Sequence, residues 1–175
     1  MTLDNKFLED ARQGGVVILA GSDSDKPHID KLVAELVKWL IPYEVRICSA
    51  HKQPKELYEM IMGYNASGRP LVYIAVAGGS DAVSGMSSYP SFGPVVSCPP
   101  DGVNMSCITN PPGSSNSFIL NPANAARHCA QIFTFVAPDK YCPLLEKSVA
   151  DKNAKLVAMD GKLRQDYAAA QAAAK

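Results

Sequence analysis

The chain has 175 residues, of which 17 are basic, 17 are acidic and 47% are hydrophobic. This composition is typical of a globular domain and excludes a disordered or fibrous chain. A formal net charge of zero provides no overall field for nucleic acid or an anionic bilayer, so neither is an expected partner. No apolar run approaches the ~18–20 residues that span a membrane, and the first ten residues lack a signal-like apolar stretch. We therefore expect a cytoplasmic protein.

Five cysteines are scattered through the chain, and their number is odd. The sequence has no C-x-x-C pair and no cysteine–histidine spacing of the zinc-finger kind, so we expect reduced thiols and no metal site. A free cysteine among apolar residues usually packs as a small hydrophobic side chain. The five positions are Cys48, Cys98, Cys107, Cys129 and Cys142.

The first predicted strand covers residues 16–20 and contains only apolar residues, which is typical of a strand buried on both faces of a parallel sheet. The loop GSDSD follows it. A helix is predicted next, with Ser24 or Asp25 as its N-cap and Pro27 in its first turn. Its apolar stripe comprises Ile29, Leu32, Val33, Leu36, Val37 and Leu40.

The strand and loop recur three more times. A second strand, residues 43–47, leads into the loop SAHKQP, and a helix opens at Pro54 and ends near Gly68. A third strand, residues 71–77, leads into AGGSD, and a fourth, residues 94–97, leads into CPP. The apolar stripe of the intervening helix comprises Leu57, Met60, Ile61 and Tyr64.

Alternating strands and helices predict an α/β fold, because parallel neighbours need crossover connections that are usually helical. We expect a three-layer sandwich with a flavodoxin-like parallel sheet and helices on both faces. Ligands of such sheets bind at the carboxyl ends of the strands. The loops GSDSD, SAHK and AGGSD all lie at that edge, so the fold predicts that they converge on one pocket.

The second half of the chain contains a long loop and two predicted helices. Residues 101–121 are rich in Gly, Pro, Ser and Asn, and we interpret them as a pocket wall. Asn121 and Pro122 then cap and open a helix. We expect one domain over residues 1–175, ending in a long helical extension over about 143–175 whose alanine-rich end has little to bury unless it packs on a neighbouring subunit.

Each of the three loops offers different chemistry. GSDSD supplies backbone N–H groups, hydroxyls and a helix N-terminus for a phosphate, although Asp25 in it is equally suited to capping. SAHK places His51 and Lys52 side by side, and imidazole is the side chain most often used for general acid–base catalysis. The glycines of AGGSD permit close approach of a small ligand to backbone N–H groups. We assign no role to His28 and His128, which lie on predicted helices.

Five motifs together resemble one known family. In order they are GSDSD, SAHKQP, AVAGGSDAVSGM, PVVSCPP and NPANAARHCAQIF. This series is similar to the PurE family, the aminoimidazole ribonucleotide carboxylases and carboxyaminoimidazole ribonucleotide mutases, over about residues 16–133. The mutase branch usually reads SAHR and AGGAAH, whereas the direct carboxylase branch reads SAHK, AGRSN and SCPP. Lys52, Ser80 and residues 98–100 match the direct carboxylase branch, while Gly79 and Asp81 depart from its Arg and Asn.

The resemblance implies carboxylation of 5-aminoimidazole ribonucleotide by carbon dioxide in de novo purine synthesis, without a metal or organic cofactor. His51 would remove the ring proton, and Lys52 with the AGGS backbone would stabilise the new carboxylate. It also implies a homo-octamer in which a C-terminal helix reaches a neighbour. The substrate-binding residues that it implies are Ser22, Ser24, Asp25, Ser49, Ala50, Gly78, Gly79 and Ser80.

Three alternatives remain open at this point. The same residues would serve a mutase that converts the carbamate ribonucleotide to the same product. A PurE-like carboxylase of a nicotinate-derived nucleotide is a further possibility, although such enzymes usually carry an additional N-terminal region that this chain lacks. A non-catalytic flavodoxin-like module that holds a flavin phosphate on GSDSD is the most remote, and it would make the purified protein yellow.

Overall fold

A computed structural model describes residues 3–173 and contains one five-stranded sheet in which all strands are parallel. The strands are β1 (Gly15–Ala20), β2 (Tyr43–Ile47), β3 (Leu71–Val76), β4 (Val95–Ser97) and β5 (Ser117–Phe118). Their order across the sheet is β2-β1-β3-β4-β5, so the direction of winding reverses between β1 and β3. The crevice at such a reversal is where ligands of doubly wound sheets bind.

Helices cover both faces of the sheet. They are α1 (Asn5–Asp10), α2 (Lys26–Lys38), α3 (Pro54–Ala66), α4 (Ala82–Ser88), α5 (Pro122–Phe133) and α6 (Pro138–Ala173). Alternate residues of β1 point to opposite layers. Val16 and Ile18 belong to a core with α2, α5 and the start of α6, whereas Val17 and Leu19 belong to a core with α1, α3 and α4. The predicted three-layer sandwich is therefore confirmed.

The second helix ends earlier than its apolar stripe predicts. Val37 and Leu40 are 55% and 61% exposed, and the residue buried at this end is Trp39. Leu40 has a φ of 55°, which reverses the chain in the left-handed region directly after α2. Leu40 therefore lies beyond the end of α2, whereas Val37 lies within α2 but on its exposed side.

Strand β2 lies at the edge of the sheet and turns its polar residues inward. Glu44 accepts a hydrogen bond from the Tyr64 hydroxyl at 2.7 Å and one from Arg46 at 2.9 Å. The three apolar residues of β2 are 37–52% exposed. A buried ion pair needs such additional hydrogen bonds to offset its desolvation, and Tyr64 on α3 supplies one.

Three short elements were not predicted from the sequence. The six residues of α1 are held by the Asp4 side chain, which accepts from the backbone N–H groups of Lys6 and Phe7. Helix α4 has the sequence AVSGMSS, which has low helix propensity, and β5 has only two residues. Helix α1 thus follows from a local cap, whereas α4 and β5 depend on contacts outside their own segments, which a local sequence pattern does not reveal.

The last helix extends over 36 residues and begins five residues before the predicted start, with Pro143 inside it. Among its described residues only Tyr141 is buried. From residue 149 onward its side chains are largely exposed, including Leu156, Val157 and Tyr167 at more than half of their area. The last two positions of the predicted extension, 174 and 175, lie outside the described residues.

No helix within residues 3–173 is both long enough and apolar enough to cross a membrane.

Candidate active site

A cavity of about 260 Å³ lies at the carboxyl ends of β1, β2 and β3, where the winding of the sheet reverses. It is lined by Gly21, Ser22, Ser24, Asp25, Ser49, Ala50, His51, Ala77, Gly78, Asp81, Ala82 and Val83. The loops GSDSD, SAHK and AGGSD thus converge, as their positions after parallel strands predict. Of the predicted site residues, Lys52, Gly79 and Ser80 do not line the cavity, but each adjoins in the chain a residue that does.

The loop after β1 presents hydroxyls and a carboxylate at the start of α2. The Ser22 and Ser24 hydroxyls lie 2.5 Å apart and share a hydrogen bond. Asp25 occupies the N-cap position of α2, but its side chain makes no capping hydrogen bond. Partial burial raises the pKa of Asp25, and the nearby carboxylate of Asp101 acts in the same direction. The Asp25 side chain is therefore not committed to the helix and remains available to a ligand.

The loop after β2 carries His51 on a turn that closes on itself. The backbone N–H groups of Lys52 and Gln53 donate to the Ser49 carbonyl at 3.2 and 2.8 Å. Cys48 N–H donates to the Ala20 carbonyl at 2.9 Å, which fixes the base of the turn against β1. His51 is exposed at the cavity, and within residues 3–173 no side chain hydrogen bonds to its imidazole. Both ring nitrogens are thus open to a bound molecule.

The loop after β3 depends on its two glycines. Gly79 has a φ of 64°, a conformation that strongly favours glycine. Its N–H donates to Oδ2 of Asp101 at 2.8 Å. A Cβ added at Gly78 would stand 2.8 Å from the same oxygen. The carboxylate of Asp101 therefore lies directly against this loop, across 22 residues of sequence.

Asp81 ends this loop as a buried carboxyl group. Its side chain is 2% exposed, and its Oδ1 accepts from the Ser84 N–H at 3.2 Å as the cap of α4. Burial raises the pKa of Asp81 to about 6, while hydrogen bonds from Ser84, Ser97 and Cys107 act in the opposite direction. Its other oxygen, Oδ2, has no well-aligned hydrogen-bond donor among the described residues. The Ser97 and Cys107 contacts are accordingly weak, and burial dominates.

The segment 101–121 lies beside the cavity and contributes none of its lining residues. It is anchored mainly by Asn116, whose amide donates to the Ser97 hydroxyl at 2.8 Å and to the Cys107 carbonyl at 2.9 Å. Asn116 also accepts from the Asn110 amide. The interpretation of this segment as a pocket wall is therefore wrong for the cavity itself, although Asp101 contacts the loop after β3 through the Gly79 N–H.

One histidine–cysteine pair lies near the cavity without the properties of a reactive site. Nε2 of His28 and Sγ of Cys98 are 3.4 Å apart. Burial lowers the pKa of His28 and raises the pKa of Cys98 to about 12, so the thiol stays protonated at neutral pH. All five cysteines are free thiols. Within residues 3–173 no three His, Cys, Asp or Glu side chains are grouped closely enough to hold a metal ion.

Sequence reasoning missed several residues of this site. Asp81 belongs to the AGGSD motif and lines the cavity, although it is not among the predicted site residues. Asp101 follows β4 and therefore lies at the same sheet edge, which is the signal that could have identified it. The other missed lining residues are Gly21, Ala77, Ala82 and Val83, which adjoin the predicted ones in the chain.

Comparison with known proteins identifies the family. A family model described as AIR carboxylase matches residues 15–155. The phosphoribosylaminoimidazole carboxylase of Treponema denticola is 37% identical over 157 residues, which cover 86% of this chain and 98% of that protein. The human bifunctional phosphoribosylaminoimidazole carboxylase/phosphoribosylaminoimidazole succinocarboxamide synthetase is 38% identical over 133 residues, covering 73% of this chain and 31% of that longer protein. The crystal structure of Treponema denticola PurE has a TM-score of 0.80 at 33% identity, covering 86% of this chain and 98% of that one. The chain belongs to the AIR carboxylase family.

Proposed function

We propose that this protein joins carbon dioxide to the ring carbon of 5-aminoimidazole ribonucleotide and so forms 4-carboxy-5-aminoimidazole ribonucleotide in purine biosynthesis. The observation that carries the proposal is the position of His51, exposed at the cavity on a turn that is closed by its own backbone and by Gln53. Family membership supports the substrate, because the relatives are phosphoribosylaminoimidazole carboxylases. A small-molecule enzyme also agrees with the size of the cavity.

The reaction needs one acid–base group. The exocyclic amine makes the neighbouring ring carbon electron-rich, and this carbon attacks carbon dioxide. A carbon–carbon bond forms while one C=O π pair moves to oxygen, which leaves a carboxylate and a tetrahedral ring carbon. His51 accepts the proton of that carbon, and the C–H electron pair restores the aromatic ring. General base catalysis of this kind contributes about 100- to 10,000-fold.

The loop after β1 supplies the contacts for the nucleotide part of the substrate. Helix α2 has 13 residues, and its N-terminus with the Ser22 and Ser24 hydroxyls suits a phosphate. The Asp25 carboxylate repels a phosphate, so we assign it to the ribose hydroxyls, for which it is free because it makes no capping bond. Ser49 and Ala50 line the same cavity beside His51 and complete this side of the site.

The opposite wall receives the carboxylate. The backbone N–H groups of Gly78, Gly79 and Ser80 supply preorganised donors, which are most effective where negative charge develops. Lys52 is exposed next to His51 and adds a mobile positive charge that can reach the incoming carboxylate or the phosphate. Together these groups stabilise the negative charge that develops on the carboxylate as the carbon–carbon bond forms.

The direct carboxylase reaction is favoured by Lys52, Ser80 and residues 98–100. The departure at Gly79 has a physical reason, because its φ of 64° would strain the arginine that this branch carries. Gly79 is also the residue shared with the mutase pattern, and this specific observation keeps the carbamate mutase as the second candidate. The two reactions differ in whether the added carbon comes from free carbon dioxide or from the carbamate.

A comparison of two substrates tests the proposal. Wild-type protein is assayed with 5-aminoimidazole ribonucleotide plus bicarbonate and, separately, with the carbamate ribonucleotide. We expect product from bicarbonate alone, and we expect Lys52→Ala to lose that activity and to raise the half-saturating nucleotide concentration. Lys55→Ala, which removes an exposed lysine of α3 outside the cavity, is the matched control and should behave as wild type. Conversion of the carbamate alone would establish the mutase instead.

We also propose that the protein is a cytoplasmic homo-octamer. Exposed apolar side chains on α6 and on the edge strand β2 support self-association, because contiguous exposed apolar surface usually marks an interface. The five free thiols are typical of a reducing compartment. Sedimentation velocity gives the particle mass, and a monomeric protein would contradict the octamer.

A further inference from the structure

One contact at the carboxylate wall has no role in the reaction just described. The Gly79 N–H, one of the donors assigned to the product carboxylate, already donates to Oδ2 of Asp101 at 2.8 Å. The Asp101 carboxylate also lies so close to Gly78 that a Cβ there would stand 2.8 Å from Oδ2 and 3.2 Å from Cγ. The Asp101 carboxylate therefore bonds to a backbone N–H that the proposed function assigns to the carboxylate of the product.

The two carboxylates are mutually exclusive on chemical grounds. The Gly79 N–H has a single hydrogen, and a charge-assisted hydrogen bond to one carboxylate weakens its bond to another. Burial raises the pKa of Asp25, and the negative charge of Asp101 acts in the same direction, so the Asp101 carboxylate also acts on the loop after β1. A second carboxylate brought to the same wall would be repelled while Asp101 stays in place.

The structure leaves room for Asp101 to withdraw. Its side chain is exposed, and nothing lies within 4 Å of the positions where a Cβ would project from Gly79 and from Gly102. Gly102, directly after Asp101, has a φ of 105° and thus a backbone conformation that side chains rarely adopt. The anchors of the segment begin further along, at Asn104 and Asn116. The carboxylate can therefore move without disturbing the anchored part of the loop.

We propose that Asp101 is a specificity-determining residue whose carboxylate takes the Gly79 N–H and yields it only to the carboxylate of the carboxylated ribonucleotide. This inference rests on the proposed function. Its consequence is selective: Asp101 competes with the product, which carries a carboxylate, and does not compete with 5-aminoimidazole ribonucleotide, which lacks one. Asp101 thereby weakens product binding and favours product release.

Calorimetric titration with the two ribonucleotides tests the inference. In Asp101→Ala we expect the dissociation constant of 4-carboxy-5-aminoimidazole ribonucleotide to fall about tenfold, as expected when a competing charged hydrogen bond is removed. The constant for 5-aminoimidazole ribonucleotide should change less than about twofold. Asp101→Asn keeps a neutral acceptor for the Gly79 N–H and should tighten product binding only about threefold. Asp10→Ala removes an equal charge from α1, before β1 and thus far from the carboxyl edge, and should change neither constant.

The contrary results are distinct. If both nucleotides bind wild type and Asp101→Ala leaves the product constant unchanged, the inference is wrong and the proposed function stands. If Asp101→Ala instead weakens 5-aminoimidazole ribonucleotide, Asp101 is a ligand of the exocyclic amine, which also overturns the inference. Wild-type protein that binds neither nucleotide would overturn the proposed function and this inference with it.

Discussion

The loops after β1 and β2 differ from the loop after β3 in how they are held. The first two are held mainly by bonds within themselves: the Ser22 and Ser24 hydroxyls bond to one another, and the His51 turn bonds to the Ser49 carbonyl. The third is tied to distant chain, with Gly79 bonded to Asp101 and Asp81 buried against Ser84 and Ser97. The acid–base role is thus assigned to a side chain, His51, that contributes little to stability. The third loop contributes to both ligand binding and stability.

This difference predicts which substitutions should lower activity alone and which should also change the free energy of unfolding. A change of an exposed side chain in either of the first two loops, such as His51, removes a functional group and leaves the cores of both layers intact. A change in the third loop disturbs a buried carboxyl group or a left-handed backbone, so it alters the free energy of unfolding as well. The four substitutions below test this separation.

Substitution of His51 by Asn should have the largest effect. Because the imidazole is exposed and bonds to no described side chain, its loss should lower kcat/KM at least ~100-fold while the melting temperature stays unchanged. Steady-state kinetics and thermal unfolding measure the two effects. His128→Asn on α5, outside the cavity, is the control and should remain fully active. Retention of more than about a tenth of the activity in His51→Asn would remove His51 from the mechanism.

Substitution of Asp81 by Asn should change stability in a pH-dependent way. The folded-state pKa of about 6 lies above the ordinary value of 3.8, so between these values the folded chain keeps a proton that the unfolded chain has released. The free energy of unfolding therefore falls as pH rises through this window. Asn stays neutral, keeps the acceptor for Ser84 and tolerates the left-handed backbone of this position, where φ is 41°.

At about pH 7.5, Asp81→Asn should therefore be more stable than wild type by about 1–3 kcal/mol, and the two should agree near pH 4. Urea denaturation at both pH values measures the difference. The same difference at both pH values would mean that Asp81 does not titrate in this window, and the account of its burial would be wrong.

Substitution of Gly79 by Ala should cost about 1–2 kcal/mol of unfolding free energy. The space around this glycine is open, so the cost arises from its φ of 64° and not from a steric clash. Gly161→Ala is the matched control, because its surroundings are equally open but it lies inside helix α6, where Ala should stabilise by roughly 0.5–1 kcal/mol. Equal effects of both substitutions would show that the loop is not left-handed in solution.

Substitution of Asp25 by Ala should have the smallest effect on stability. Its side chain makes no capping bond, so we expect a change below about 0.5 kcal/mol, together with weaker nucleotide binding. Asn121 is a true cap, since its side chain accepts from the Ala123 N–H at 2.9 Å, and Asn121→Ala should cost about 1 kcal/mol. Loss of stability in Asp25→Ala with unchanged nucleotide affinity would identify Asp25 as a cap alone.

The sequence predicts the parts of the fold that local patterns determine. Helix α3 begins at the predicted Pro54, and all four residues of its predicted stripe are buried. Helix α5 begins directly after its predicted cap, Asn121. Because parallel strands align their carboxyl ends, the convergence of three loops also follows from the strand positions alone.

The remaining features depend on contacts between distant residues. Helix α4 has weak propensity and is held by the Asp81 cap and by burial. The Gly79–Asp101 contact joins residues 22 positions apart, and its existence depends on the path of the loop after β4. The inward face of β2 depends on Tyr64, which satisfies Glu44 from another element. No periodicity or turn signal encodes such pairings.

The source of the added carbon tests the central claim most directly. Wild-type protein is given unlabelled carbamate ribonucleotide in carbon-13 bicarbonate, and the label in the product carboxylate is measured by mass spectrometry. The carbamate must first lose its carbon dioxide to give 5-aminoimidazole ribonucleotide, and a direct carboxylase then takes carbon dioxide from the free pool, so we predict that the product carries label at the enrichment of the bicarbonate. Product that retains the unlabelled carbamate carbon would contradict direct carboxylation and establish the mutase.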